Sequence, residues 1–167
     1  FTITVQNLLP PSIICPMNIA RNTDLHQCSA IVSYPPPTVS GSGMLTLMLT
    51  SDPATASGSG FPKGVTMVNW KVTDPGGNMA ICNFTVTVAD AQAPTITCPA
   101  NILKATDPNQ CTAAVLYPMP VSSDNCSVAS VVLTSGPATA SGSAFGKTTT
   151  TVSWKATDGS GNMSTCS

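Results

Sequence analysis

The sequence predicts an all-β protein built as two β-sandwich modules in tandem. Three observations carry that reading. The chain of 167 residues repeats itself once. Its Val-, Ile- and Thr-rich runs alternate in polarity, and no window holds a 3.6-residue apolar period. Clusters of Pro, Gly, Asn and Asp interrupt those runs roughly every 8 to 15 residues, the rhythm of short antiparallel strands.

The repeat fixes the organisation. CPMNIARNTDLHQCSAIVSYP, starting at Cys15, aligns with CPANILKATDPNQCTAAVLYP, starting at Cys98, an offset of 98 − 15 = 83. Further on, Trp70 aligns with Trp154, an offset of 154 − 70 = 84, so one residue is inserted between Tyr117 and Pro137. The expected domains are an N-terminal donor-type strand and linker over 1–9, module 1 over 10–90, and module 2 over 91–167 without its last strand.

Within each module the strands follow from side-chain phase. Along Thr66 to Val72, the residues Val68, Trp70 and Val72 share one face, and Met67, Asn69 and Lys71 share the other. Val152, Trp154 and Ala156 repeat the inward set. Asp74-Pro-Gly-Gly-Asn78 and Asp158-Gly-Ser-Gly-Asn162 then supply the positive φ of a tight hairpin. Cys82, Phe84, Val86 and Val88 point inward along the returning strand. About seven short strands around one Trp describe a sandwich.

Composition excludes several function classes. Only 8% of residues are charged and the net charge is −1. Arg21, Lys63, Lys71, Lys104, Lys147 and Lys155 are scattered singly, so no nucleic-acid surface is expected. No apolar run approaches the roughly 18 residues of a membrane helix, and no basic-then-apolar leader precedes Phe1, so membrane insertion is not expected and the material reads as mature or excised. Seven cysteines without C-x2-C pairs read as a disulfide framework in an extracellular or cell-surface protein. So weakly charged a surface calls for glycans, or assembly, or both.

Several motifs together resemble the hyalin repeat, an immunoglobulin-like extracellular module. They are P-x-I-x-C-P-x-N-I (Pro94 to Ile102), Asp124-Asn125-Cys126, S-G-S-x-F (Ser141 to Phe145), V-x-W-x-A-T-D-x-x-G-N (Val152 to Asn162) and C-x-F-x-V-x-V (Cys82 to Val88). The resemblance covers essentially the whole chain, twice. Module 1 departs where Gly41-Ser42-Gly43 stands in place of Asp124-Asn125-Cys126. The resemblance implies immunoglobulin-like sandwiches serving as adhesion and spacer units with no catalytic site. It also favours pairing Cys15 with Cys82 and Cys98 with Cys166, which the shared end of first and last strands permits. Cys111 and Cys126 are then left for one another and Cys28 stays reduced, although Cys98 with Cys126 and Cys111 with Cys166 remains open.

The remaining chemistry is sparse. His26 is the only histidine, its counterpart is Asn109, and it reads as a turn residue rather than a base. A calcium site of Asp90 with Asp74 or Asp158 would need six to eight oxygens, and no three acidic residues adjoin in sequence, so neither metal nor other cofactor is expected. Sequons at Asn83, Asn125 and Asn162 offer glycan acceptors; Asn83 lies in outward phase and Asn162 in a turn. No acid, base and nucleophile set suggests an enzyme.

The final expectation concerns assembly. Phe1-Thr2-Ile3-Thr4-Val5 matches Phe84-Thr-Val-Thr-Val88, the closing strand that module 2 lacks after Cys166-Ser167. Placed head to tail, Cys166 to the next Cys15 spans 167 − 166 + 15 = 16 residues, equal to 98 − 82 = 16 between Cys82 and Cys98. The chain is therefore expected to polymerise with identical copies into an extracellular fibre or pilus-like filament, each N-terminal strand completing module 2 of its neighbour. The alternative is an adhesive ectodomain fragment cut from a longer covalent array of repeats.

Overall fold

The alternating stretch around Trp70 becomes the longest ladder among the described residues. In the computed structural model, residues 1–3, 9–51 and 55–167 are described, and they form two units, Phe1–Asp90 and Ala91–Ser167. Thr4 and Val5 of the expected donor strand lie outside the described residues.

In unit 1 the strands are β1 (Ser12–Ile14), β2 (Ile19–Asn22), β3 (Ser29–Val32), β4 (Thr38–Ser40), β5 (Thr46–Leu49), β6 (Ser59–Pro62), β7 (Gly64–Thr73) and β8 (Met79–Ala89). β7 and β8 pair antiparallel from Gly64 opposite Val88 to Thr73 opposite Met79, with Trp70 opposite Cys82. The sheet runs β2-β8-β7-β5, and β2 joins it by parallel pairing, Ile19 opposite Val86 through Asn22 opposite Ala89. β3 pairs with β6, and β1 with β4.

The inward residues of these sheets make one core. Ala30 and Val32 on β3, Phe61 on β6, Val68 on β7, and Phe84, Val86 and Val88 on β8 are buried together with Tyr34. Phe84 meets the Tyr34 ring edge to face, centroids 4.9 Å apart at 74°, an arrangement that favours the two ring quadrupoles. The Tyr34 hydroxyl donates to the Thr55 carbonyl, and burial pushes its pKa up.

Unit 2 repeats the same registers with β9 (Thr95–Thr97), β10 (Thr112–Ala114), β11 (Val121–Ser123), β12 (Val128–Leu133), β13 (Ala144–Gly146), β14 (Trp154–Asp158) and β15 (Met163–Cys166). Ala113 faces Phe145 as Ala30 faces Phe61, and Trp154 faces Cys166 as Trp70 faces Cys82. The extra residue of module 2 has a definite place. Leu133 opposes Trp154 as Leu49 opposes Trp70, but the β12 ladder shifts between Val128 and Ser130. The insertion is thus absorbed at Ala129 as a β-bulge, which leaves the core-facing phase of the strand intact.

Turns are conserved in geometry as well. His26 and Asn109 both adopt left-handed φ, 61° and 62°, so the histidine occupies a strained turn position that Asn also tolerates. In each hairpin one glycine takes positive φ, Gly77 at 85° and Gly161 at 91°.

Candidate functional site: the open groove of module 2

In unit 1, β8 lies between β2 and the first half of β7 and covers the core from one side. The corresponding neighbours in unit 2 are residues 102–105 and 148–151, and neither segment is a strand. Between them runs a groove of about 960 Å3, walled by Cys98 to Thr106 and by Phe145 to Val152. Its floor contains Ala113, Val115, Tyr117 and Trp154.

Those lining residues are the counterparts of the unit 1 core. Val32, Phe61 and Val68 are at most 1% exposed, whereas Val115, Phe145 and Val152 are half-buried. Tyr34 is buried and Tyr117 is half-buried, although the Tyr117 hydroxyl still donates to the Thr139 carbonyl. Ile102 and Leu103 are exposed. The groove therefore occupies the place of the β8 slot, with apolar side chains on its floor and walls that form no strand. On the donor side, the Phe1 and Ile3 side chains are also exposed.

The cysteines revise part of the expectation. Cys15 is bonded to Cys82 and Cys98 to Cys166, each pair with Cα atoms 5.7 Å apart. Cys28, expected to be reduced, is disulfide-bonded, as is Cys126; Cys111, expected to pair with Cys126, is an exposed free thiol. Cys111 lies just before β10 and Cys126 between β11 and β12, in two separate turns. Each turn is closed on itself. Asp107 Oδ2 accepts from the Ala114 N–H at 2.9 Å, and Asp124 Oδ2 accepts from the Cys126 and Ser127 N–H groups at 3.0 and 3.1 Å.

Where module 1 lacks a cysteine, the glycine that replaces it has a left-handed backbone and a crowded Cβ position. Gly43 has φ 77°, and a Cβ there would lie 3.0 Å from Pro75 Cγ. Its counterpart Cys126 belongs to a module whose matching hairpin residue is Gly159.

The other candidate residues are accounted for locally. Asp158 Oδ1 accepts from the Ser160 and Asn162 N–H groups, both at 2.8 Å, and its Oδ2 from Asn162 Nδ2 at 2.7 Å. Burial pushes this carboxyl up, but the Asn162 amide and the N–H groups of Asn162, Ser160 and Gly161 outweigh it and hold the pKa below the ordinary value. At Asp74 the Asn78 amide is the main cause of the same shift, reinforced by backbone N–H groups and opposed by burial. Asp90 is ion-paired with Lys63 at 3.7 Å. Asp124 and Asp158 offer carboxylate oxygens within 4.8 Å of each other, and Asp124 Oδ1 is buried without a hydrogen-bond partner. Asn83 is exposed; Asn162, expected to be an exposed acceptor, is half-buried because its amide caps Asp158, and Asn125 is half-buried too.

Comparisons with known proteins follow the same division. The family model of the HYR domain matches residues 6–88 and again 89–167. Hyalin of Strongylocentrotus purpuratus is 35% identical over 127 residues, which cover 74% of this chain and 10% of that protein. The Sushi, von Willebrand factor type A, EGF and pentraxin domain-containing protein 1 of Rattus norvegicus is 31% identical over 99% of this chain and 4% of its own length. The chain thus spans a small part of each of these relatives. Among solved structures, protocadherin gamma B2 extracellular cadherin domains 1-5 align over 94% of this chain and 38% of that one, at 13% identity and a TM-score of 0.48.

Proposed function

This chain belongs to the HYR-domain family, and on that premise we propose that it is a structural and adhesive unit of an extracellular fibre, joined head to tail by strand donation. Its disulfides fit an extracellular or cell-surface location. One observation carries the assembly: the groove of module 2 is lined by the counterparts of the residues that β8 covers in module 1. The segment Phe1 to Val5 has the pattern of Phe84 to Val88, with apolar side chains at every second position to fill such a slot. Donor and acceptor surfaces differ, so the contact is heterologous and propagates into an open filament of identical copies.

A second reading draws on the small share of the relatives that this chain covers. In it, the strand that enters module 2 comes from the next repeat of one long covalent array. Both readings give the same strand placement and a linear fibre. Sedimentation of the chain with and without residues 1–5 tests the first. The full chain should form concentration-dependent oligomers and the truncated chain should stay monomeric with module 1 folded. Equal assembly of the two would overturn strand donation between copies.

A further inference from the structure

A strand of alternating Thr and apolar residues poses a register problem. Sliding Phe1-Thr-Ile-Thr-Val5 by two residues keeps every apolar side chain facing the core, so burial alone does not choose the position. Module 1 contains the solution. Just ahead of the parallel β2–β8 ladder, Asn18 Oδ1 accepts from the Thr85 N–H at 2.9 Å, reaching across 67 residues of sequence. The residue preceding Thr85 is Phe84, whose ring packs on Tyr34. A side-chain amide and an aromatic ring therefore fix adjacent residues of the closing strand.

Module 2 carries both fixtures. Asn101 stands at the Asn18 position in one wall of the groove, and its side chain is exposed. Tyr117 stands at the Tyr34 position on the floor, held by its hydroxyl on Thr139. Thr2 and Phe1 correspond to Thr85 and Phe84.

We propose that Asn101 and Tyr117 set the register of the strand that enters module 2 from a second copy of the chain. Asn101 Oδ1 accepts the Thr2 N–H, and Phe1 meets the Tyr117 ring edge to face. The proposal rests on the strand-donation reading and adds a selectivity to it: the groove prefers a strand that begins aromatic-Thr over any alternating strand. Asn101 is a positioning residue, since it acts on the incoming backbone rather than on the apolar side chains that fill the slot.

The test uses the full chain and a synthetic peptide of residues 1–7 labelled with a fluorophore at its C-terminal end. Fluorescence polarisation should show binding to the wild-type chain, weakened about fivefold by Asn101→Ala, the loss of one ordinary hydrogen bond. A second peptide with an ester in place of the Phe1–Thr2 amide lacks the Thr2 N–H. It should bind the wild-type chain about fivefold more weakly and lose nothing further with Asn101→Ala. NMR contacts should place the Phe1 ring against Tyr117, and Asn101→Ala should add a shifted register with Ile3 in that place. Wild-type binding that neither the ester nor Asn101→Ala alters would overturn the register inference and leave strand donation standing. No binding of the unmodified peptide to the wild-type chain would overturn both.

Discussion

The two modules share their registers, hairpins and principal disulfides, yet one has a closed core and the other an open one. The difference lies in the segment Phe84 to Ala89. In module 1 it gives β2 a parallel partner, extends β7 back to Gly64, and buries Val32, Phe61 and Val68. In module 2, β14 begins only at Trp154, residues 102–105 form no strand, and Val115, Phe145 and Val152 stay half-buried. A closing strand therefore does more than add one ladder: in module 1 two neighbouring segments are strands alongside it, and their counterparts 102–105 and 148–151 are not. Backbone edges gain hydrogen bonds from pairing, and their local sequence alone does not hold them extended.

The largest effect should come from making the two modules alike. Replacing Ser167 by Asn-Phe-Thr-Val-Thr-Val-Ala, the sequence of residues 83–89, supplies module 2 with its own closing strand. Burial of one Phe and two Val should raise the unfolding free energy of module 2 by about 5 kcal/mol, measured by chemical denaturation. Amide protection should appear over residues 102–105 and 148–152, and binding of the residue 1–7 peptide should disappear. An unprotected 102–105 segment in that variant would break the comparison.

A smaller contrast separates the two cysteines at equivalent positions, Cys28 and Cys111. Cys28→Ser should destabilise by about 2 to 4 kcal/mol through loss of a disulfide. Cys111→Ser should stay within about 0.5 kcal/mol of the parent, as an exposed residue outside any disulfide. Thiol titration of the unfolded, unreduced chain should find one reactive group, and Cys111→Ser should abolish it.

The smallest effect is one the modules share. The pKa values of Asp74 and Asp158 are lowered in the folded chain, so both carboxylates contribute stability that is present above their unfolded range, about pH 4, and lost as pH falls through the folded values. Thermal unfolding should be flat from pH 7 to 5 and decline below about 4 in both modules. Asp74→Asn should flatten that decline in module 1 alone, and Asp158→Asn in module 2 alone.

Much of this was legible in the sequence, and the illegible parts have physical reasons. The phase of Val68, Val72, Phe84, Val86 and Val88 follows from strict two-residue alternation around a Trp, and each of these is buried. The hairpin glycines follow from the need for positive φ. The state of Cys28 and Cys111 did not follow, because residues in turns carry no alternation to say which way they face, and counting cysteines presumes that the module with three holds the odd one. The location of the inserted residue was equally hidden. Ala129 fits a strand by composition, and only the shift of pairing against Thr157 and Asp158 marks it as a bulge. The half-burial of Asn162 is a property of Asp158 as a cap, which a sequon does not reveal.

The two long-range disulfides determine what tension would do to the chain. Cys15 and Cys82 are 67 residues apart in sequence and Cys98 and Cys166 are 68. A pull applied to the segments flanking module 1 runs along the backbone to Cys15, across the sulfur bridge, and out along β8. The polypeptide between the two cysteines stays off that covalent path. Its contour, about 220 Å at roughly 3.3 Å per extended residue, cannot be paid out while the bridge is intact. Module 1 therefore behaves under force as a short link of nearly fixed length, and its core can loosen without the chain lengthening.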